Sequence, residues 1–248
     1  MASEKRAVVP VGVSDFDTLI ARKGVKRGDN ILISGGTGTG KTTFCMQSLV
    51  SAIKKGEKCV YITLEEPPEK IRENLEENFG WNIRELEEKK KLLMIKLDGM
   101  RIARQVEVAL KKKIEKMEIE DRSLDFPFQA DRVVIDSLSA LSIAFSKDEE
   151  GYRRYLQYLF EKLSQKNSLN LIITETKQDP KVYSREGIEE FLADGVIVLY
   201  NIKAKGGQRY NALEILKLRS SEHVKKLVPY KIVNGKGFII MPKEELFS

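Results

Sequence analysis

Between the apolar run Asn30-Ile-Leu-Ile-Ser34 and the amphipathic stretch Thr42 to Lys55 stands Gly35-Gly-Thr-Gly-Thr-Gly40-Lys41-Thr42, which satisfies G-x-x-x-x-G-K-[ST]. Its position at the junction of a strand and a helix constrains the fold as much as the chemistry. Glycines at 35, 36, 38 and 40 let the backbone turn tightly with its N–H groups inward, and the helix that follows aims its positive end at the same point. A triphosphate suits such a cradle, formed by Gly36, Thr37, Gly38, Thr39 and Gly40. Lys41 is placed to bridge β and γ phosphates and the Thr42 hydroxyl to ligate Mg²⁺. A glycine-rich turn that merely caps a helix leaves Lys-Thr at this spacing unexplained.

The rest of the chain extends the same alternation. Aliphatic runs recur at Cys59 to Leu64, Leu92 to Leu97, Arg132 to Asp136, Leu169 to Thr174 and Gly195 to Tyr200, unbroken enough to be central strands covered on both faces. Amphipathic stretches lie between them, at Glu69 to Phe79, Ile102 to Glu118 and Gly151 to Lys166. Strand alternating with helix predicts an α/β protein with a mainly parallel, doubly wound sheet. The tail differs: Tyr210 to Leu218, Lys226 to Ile232 and Gly237 to Met241 are short strand-like pieces joined by Gly-Gly and Asn-Gly turns, and predict a small antiparallel extension. Asp121 to Ala130, with Pro127, reads as a surface loop. At 248 residues without a linker or internal repeat, the expectation is one domain over 1–248.

Composition excludes several classes. Apolar residues make up 42% and charged residues 32%, so a packed globular chain is expected. No apolar run is long enough to span a bilayer and the N-terminus lacks a secretory pattern, which places the chain in the cytoplasm. Cys45 and Cys59 have no second Cys or His at metal-ligand spacing and read as buried free thiols. The net charge of +6 permits a polyanionic partner, but the charges are interspersed and a nucleotide site accounts for part of the excess.

Two further acidic positions suit phosphate chemistry. Arg132-Val-Val-Ile-Asp136-Ser137 ends a strand in an acid able to hold a Mg²⁺-bound water, although a strand-ending Asp also serves as an ordinary turn or cap residue. Glu65-Glu66 follows the Cys59 strand, where a carboxylate can order water for attack on the γ phosphate. The alternative is that both are solvated charges at the start of the helix that Pro67-Pro68 opens.

These blocks resemble the RecA-like ATPases, most closely the KaiC family of circadian-clock ATPases and its single-domain archaeal relatives. The resemblance rests on Gly12-Val-Ser-Asp-Phe16-Asp17, the phosphate loop through Thr43, Thr63-Leu-Glu65-Glu66, Ile135-Asp136-Ser137, Thr174-Glu175, Gly187-Ile-Glu-Glu-Phe191, and the block Leu213-Glu-Ile-Leu-Lys217-Leu-Arg219-Ser-Ser-Glu-His223. It implies a RecA-type core assembled as a homo-oligomeric ring, usually a hexamer, with ATP at subunit interfaces. It further implies that Glu65 and Glu66 serve hydrolysis, that Asp136 serves Mg²⁺, and that Lys217 and Arg219 reach a neighbour's γ phosphate. It places His223 near the nucleotide. On their own, Lys217 and Arg219 are two exposed charges on alternate positions of a strand, and His223 is a surface or capping residue. The fullest family members carry two ATPase halves, whereas this chain reads as one. Glu190-Phe191 stands where the autophosphorylating half has a Ser-Thr pair, so self-kinase activity is not expected.

Competing readings remain. Thr176-Lys177-Gln178-Asp179 satisfies a guanine-reading pattern, but the D-x-x-G element is missing because Asp136 is followed by Ser-Leu-Ser139. A nucleic-acid motor needs basic, aromatic-interleaved loops; Ser142 to Gly151 contains the acidic Lys147-Asp-Glu-Glu150, and Gln178 to Glu190 offers only Tyr183 for stacking. Lys111-Lys-Lys113 reads as a solvated helix face. A slowly hydrolysing, nucleotide-gated signalling scaffold with an unknown protein partner fits every residue named.

Overall fold

The computed structural model of the protein describes residues 6–111, 124–145, 148–176, 187–203, 206–219 and 221–246. Within them the chain runs β1 (Val8–Val9), a 3-10 helix (Ser14–Leu19), β2 (Val25–Lys26), β3 (Asn30–Gly35), α1 (Lys41–Lys54), β4 (Cys59–Thr63), α2 (Pro68–Phe79), α3 (Ile83–Glu88) and β5 (Leu92–Lys96). There follow α4 (Gly99–Lys111), β6 (Arg132–Asp136), α5 (Leu138–Ala144), α6 (Glu149–Gln165), β7 (Leu169–Glu175), α7 (Glu189–Leu192), β8 (Gly195–Lys203), β9 (Arg209–Leu218), β10 (Val228–Val233) and β11 (Gly237–Ile240).

Nine strands form one sheet in the order β11-β10-β9-β8-β3-β7-β6-β4-β5. Every pairing from β8 to β5 is parallel, and those among β8, β9, β10 and β11 are antiparallel. The doubly wound core and its antiparallel extension therefore stand where the residue pattern put them. Unbroken apolar strands arise because both faces are covered: Ile31 and Ile33 pack with Phe44, Leu49 and Leu171 on one side, Leu32 with Val60, Ile62 and Leu156 on the other. Each such side chain contributes about 1.5–3 kcal/mol by leaving water.

Parallel register aligns the strand tips. Thr63 pairs with Asp136 and Gly35 with Glu175, so the carboxyl ends of β3, β4, β6 and β7 meet at one edge of the sheet, where open α/β sheets bind ligands. The segment Gly12–Asp17 is tied to the other end of β6, where Arg132 begins the strand. Asp17 accepts the N–H groups of Val11 at 2.7 Å and Gly12 at 2.9 Å, while the buried Arg132 guanidinium donates to Val11 O at 2.7 Å and Ser48 Oγ at 2.9 Å.

Several elements escaped the periodicity. The pair β1–β2, α3, α5 and α7 are too short to show a stripe over several turns. The segment Ser142 to Gly151, expected as a loop, is largely the end of α5 and the start of α6, with 146–147 outside the described residues. Asp148 caps α6 by accepting the Gly151 N–H at 2.9 Å, and Glu149 and Glu150 fill its first turn, where the helix dipole favours negative charge. The helix expected to reach Glu118 is described to Lys111, and the loop before β6 from Leu124 onward, without strand or α-helix. Lys112, Lys113 and 177–186, with most of the guanine-like pattern and the Tyr183 loop, lie outside the described residues. Asn234-Gly235 makes the β10–β11 hairpin turn, Gly235 having φ +75°, and Gly206-Gly207 sits in the β8–β9 connection.

Both cysteines are buried and free; burial pushes the Cys59 thiol up to about 12 and Cys45 well above its ordinary value. Among the described residues no helix is long and apolar enough to cross a membrane.

Candidate active site at the phosphate loop

The loop from Gly35 to Gly40 is shaped by what surrounds it. Gly40 caps α1 with φ +87°, in the left-handed region, and a Cβ there would stand 2.3 Å from Ile232 Cδ1. A Cβ on Gly35 would stand 2.5 Å from the Leu199 carbonyl oxygen. The Tyr230 hydroxyl donates to Thr39 O at 2.7 Å, so the antiparallel extension buttresses the loop from β10. Thr39 is buried and spends its hydroxyl on Gly36 O at 2.8 Å. Thr37 and Gly38 are exposed at the mouth.

Lys41 opens α1 and folds its ammonium into the loop, donating to Gly35 O at 2.9 Å and Gly36 O at 3.0 Å, with Glu175 Oε1 at 3.8 Å. Burial lowers its pKa, opposed by Glu175, then Asp136 and Glu65. The next residue, Thr42, donates its hydroxyl to Asp136 Oδ2 at 2.8 Å, and the Tyr61 phenol donates to the same oxygen. Burial raises the Asp136 carboxyl above its ordinary range, and the hydrogen bonds from Tyr61 and Thr42 pull it back only in part. Tyr61, fully buried, is itself held far above the usual phenol value by burial and then by the neighbouring Asp136 charge.

Glu65 and Glu66 sit past the tip of β4. The Thr63 hydroxyl donates to Glu66 O at 2.8 Å and receives the Glu65 N–H at 3.3 Å, which fixes the turn. Ser137 Oγ donates to Glu65 Oε1 at 2.6 Å, while Glu66 pairs with Lys70 one helical turn away at 2.6 Å. Both glutamates, Lys41, Thr42, Asp136 and Glu175 line a cleft of about 350 Å³. The helix-charge alternative for Glu65 and Glu66 is thus partly realised: Glu66 does pair along α2, yet both face the cleft.

Oxygen donors in this arrangement fit a magnesium ion. Among the described residues no cluster of three or more His, Cys, Asp or Glu side chains forms a cage, but Mg²⁺ keeps several waters and takes one or two protein oxygens plus substrate phosphates. The Thr42 hydroxyl and the Asp136 carboxylate, already joined at the foot of the cleft, are that kind of set.

Other expected residues stand apart. Thr43 is half-buried on α1 and does not line the cleft. Lys217 and Arg219 are also absent from its lining. Lys217 is half-buried rather than exposed and donates to Ala193 O at 2.7 Å and Glu190 O at 2.9 Å; burial, then nearby Arg219, lowers its pKa. Arg219 lies one residue beyond β9, donates to Phe191 O at 3.0 Å and stands 3.6 Å from Asp194. Both cations are thus gathered on the single turn of α7, whose Phe191 is 71% exposed. His223 bridges to Ile20, and its Nδ1 is buried with no hydrogen-bond partner among the described residues; it too is away from this chain's cleft.

Sequence reading passed over Tyr61, the Ser137 hydroxyl and Tyr230. The signal for Tyr61 was available: a phenol inside the buried run Cys59-Val-Tyr-Ile-Thr63 must find a partner for its O–H, and the nearest strand tips are polar.

Comparison with known proteins agrees with this geometry. The family model "ATPase: KaiC" matches residues 9–245. The circadian clock protein KaiC3 of Synechocystis is 34% identical over 234 residues, covering 93% of this chain and 45% of the relative. The circadian clock oscillator protein KaiC of Thermosynechococcus vestitus is 32% identical over 232 residues, covering 92% of this chain and 43% of the relative. The chain therefore spans a little under half the length of these curated relatives. A crystal structure of a KaiC-like protein from the hyperthermophilic archaeon Pyrococcus horikoshii superposes with a TM-score of 0.75 at 30% identity, over 96% of this chain and 100% of that one. Its RecA-type fold shares the mostly parallel sheet and antiparallel C-terminal strands. From Val9 to Glu245, with a phosphate loop joined to the tips of β4 and β6, this chain belongs to the KaiC family of ATP-binding P-loop ATPases.

Proposed function

We propose that the protein binds Mg·ATP in the cleft and hydrolyses it at sites completed between subunits of a homo-oligomeric ring, in a regulatory or signalling role. The observation that carries this reading is the Thr42–Asp136 hydrogen bond of 2.8 Å, which locks the start of α1 to the tip of β6 beside the Lys41 ammonium.

The loop N–H groups and the α1 N-terminus receive the β phosphate, and Lys41 exchanges its contacts with Gly35 O and Gly36 O for phosphate oxygens. Thr42 and Asp136 are the residues that would hold Mg²⁺, and the ion would supply positive charge against the phosphates. Glu65, oriented by Ser137, and Glu66, oriented by Lys70, order the attacking water at the open side of the cleft. Lys41 alone leaves the developing charge on the γ phosphoryl oxygens undercompensated. Lys217 and Arg219 lie outside this chain's cleft, which suits their delivery to a neighbour's site, with His223 alongside. Their release from the α7 carbonyls accompanies that delivery.

Removing the ammonium tests the site itself. Lys41→Ala is expected to lose nucleotide binding, measured with a fluorescent ATP analogue; binding as tight as the parent's overturns the assignment.

A further inference from the structure

Glu175 ends β7 beside the phosphate loop and lines the same cleft. Register pairs it with Gly35, and its backbone N–H donates to Ser139 Oγ at 2.7 Å, so both its strand and the neighbouring helix α5 fix where it stands. The carboxylate is 41% exposed, lines the cleft, and reaches within 3.8 Å of Lys41 Nζ. Lys41 is therefore surrounded by two carbonyl oxygens and one carboxylate, the acceptors that phosphate oxygens must replace.

We propose that Glu175 is a specificity residue that sets the balance between ATP and ADP, because its carboxylate competes for Lys41 and repels the terminal phosphoryl group of a triphosphate more than it repels a diphosphate. The inference rests on the reading of the cleft as the ATP site. Of the carboxylates around it, Glu175 does most to oppose the fall that burial imposes on the Lys41 pKa, ahead of Asp136 and Glu65. ATP carries one more negative charge than ADP and carries it toward the strand tips, whereas the β phosphate common to both sits deeper in the loop. Repulsion at a few ångströms in a half-exposed cleft is screened but not abolished, and is worth about threefold to tenfold in affinity.

Competition against a fluorescent ADP analogue at fixed Mg²⁺, with ADP and with the β,γ-imido analogue of ATP as competitors, tests this on the full chain. Glu175→Gln keeps the shape and removes the charge. It is expected to tighten the triphosphate analogue by about threefold to tenfold and ADP by clearly less, while Glu175→Asp, which keeps the charge, retains the parental ratio. A triphosphate-to-diphosphate ratio unchanged in Glu175→Gln, or loss of both ligands alike, overturns the inference and leaves the ATP site standing. A parent chain that binds neither nucleotide overturns the site as well.

Discussion

Tyr61 on β4 and Asp136 at the tip of β6 are joined by a hydrogen bond from the phenol to Oδ2, the oxygen that also accepts the Thr42 hydroxyl at 2.8 Å. One carboxylate oxygen is thereby saturated by two donors from neighbouring elements, and its rotation is fixed. Tyr61→Phe removes a single oxygen from a fully buried position. The variant is expected to lose about 1–3 kcal/mol of stability, because a buried carboxylate loses a donor. It is also expected to lower kcat by about tenfold while the KM for ATP moves by less than about threefold. Thermal unfolding and steady-state hydrolysis across a Mg²⁺ titration check both; a parental kcat at every Mg²⁺ concentration removes Tyr61 from any positioning role.

Gly40 offers a test of the buttress beneath the loop. Gly40→Ala combines a left-handed backbone with a Cβ 2.3 Å from Ile232 Cδ1, so both strain and overlap act at the start of α1. A loss of about 1–3 kcal/mol is expected, with Tm falling by about 2–4 °C for each kcal/mol. Ile232→Ala in the same chain is expected to recover part of that loss, since the overlap is with the far end of a side chain. No recovery indicates that backbone strain alone governs the position.

Adenine is expected to be preferred over guanine. The guanine-like pattern Thr176 to Asp179 stands without a D-x-x-G element after Asp136. Competition of ATP and GTP for one fluorescent ligand decides the matter, and a clear GTP preference contradicts the reading.

Single-stranded DNA is expected to leave the rate of hydrolysis within about twofold at physiological salt, because Asp148, Glu149 and Glu150 place negative charge together at the α6 N-terminus. Asp148 is held there by its cap, and the exposed Glu150 pairs with Arg154 on the same helix. Stimulation of several-fold revives the motor reading.

Much of this architecture is legible in residue order alone. Six aliphatic runs became six parallel strands because burial on both faces demands unbroken apolar sequence, and Gly35 to Thr42 fell between β3 and α1 as its chemistry requires. Short elements were not legible: α7 has a single turn, too little for a stripe, yet its carbonyls hold both Lys217 and Arg219. The same limit hid the offset in β9. A register shift lies opposite Val196 and Ile197; Lys217 is half-buried and Arg219 stands past the end of the strand, where the sequence reading put two exposed charges on it. The Glu65–Ser137 and Tyr61–Asp136 contacts join residues more than seventy positions apart, and only the pairing of β4 with β6 brings them together.

Sharing of the active site between subunits is tested most directly by mixing two inactive variants. Arg219→Ala removes a finger and is expected to slow hydrolysis by about 10³ to 10⁵ with ATP still bound; Glu66→Gln disables the water-ordering side of the cleft. Co-assembled, the two variants create interfaces that pair an intact Glu66 from one chain with an intact Arg219 from the next. ATP hydrolysis by the mixture, measured against the ratio of the two variants, is predicted to rise well above either alone and to peak near equal proportions. Mixed assemblies that exchange subunits yet stay inactive, or a parent chain that hydrolyses ATP at full rate as a monomer, contradict the shared site.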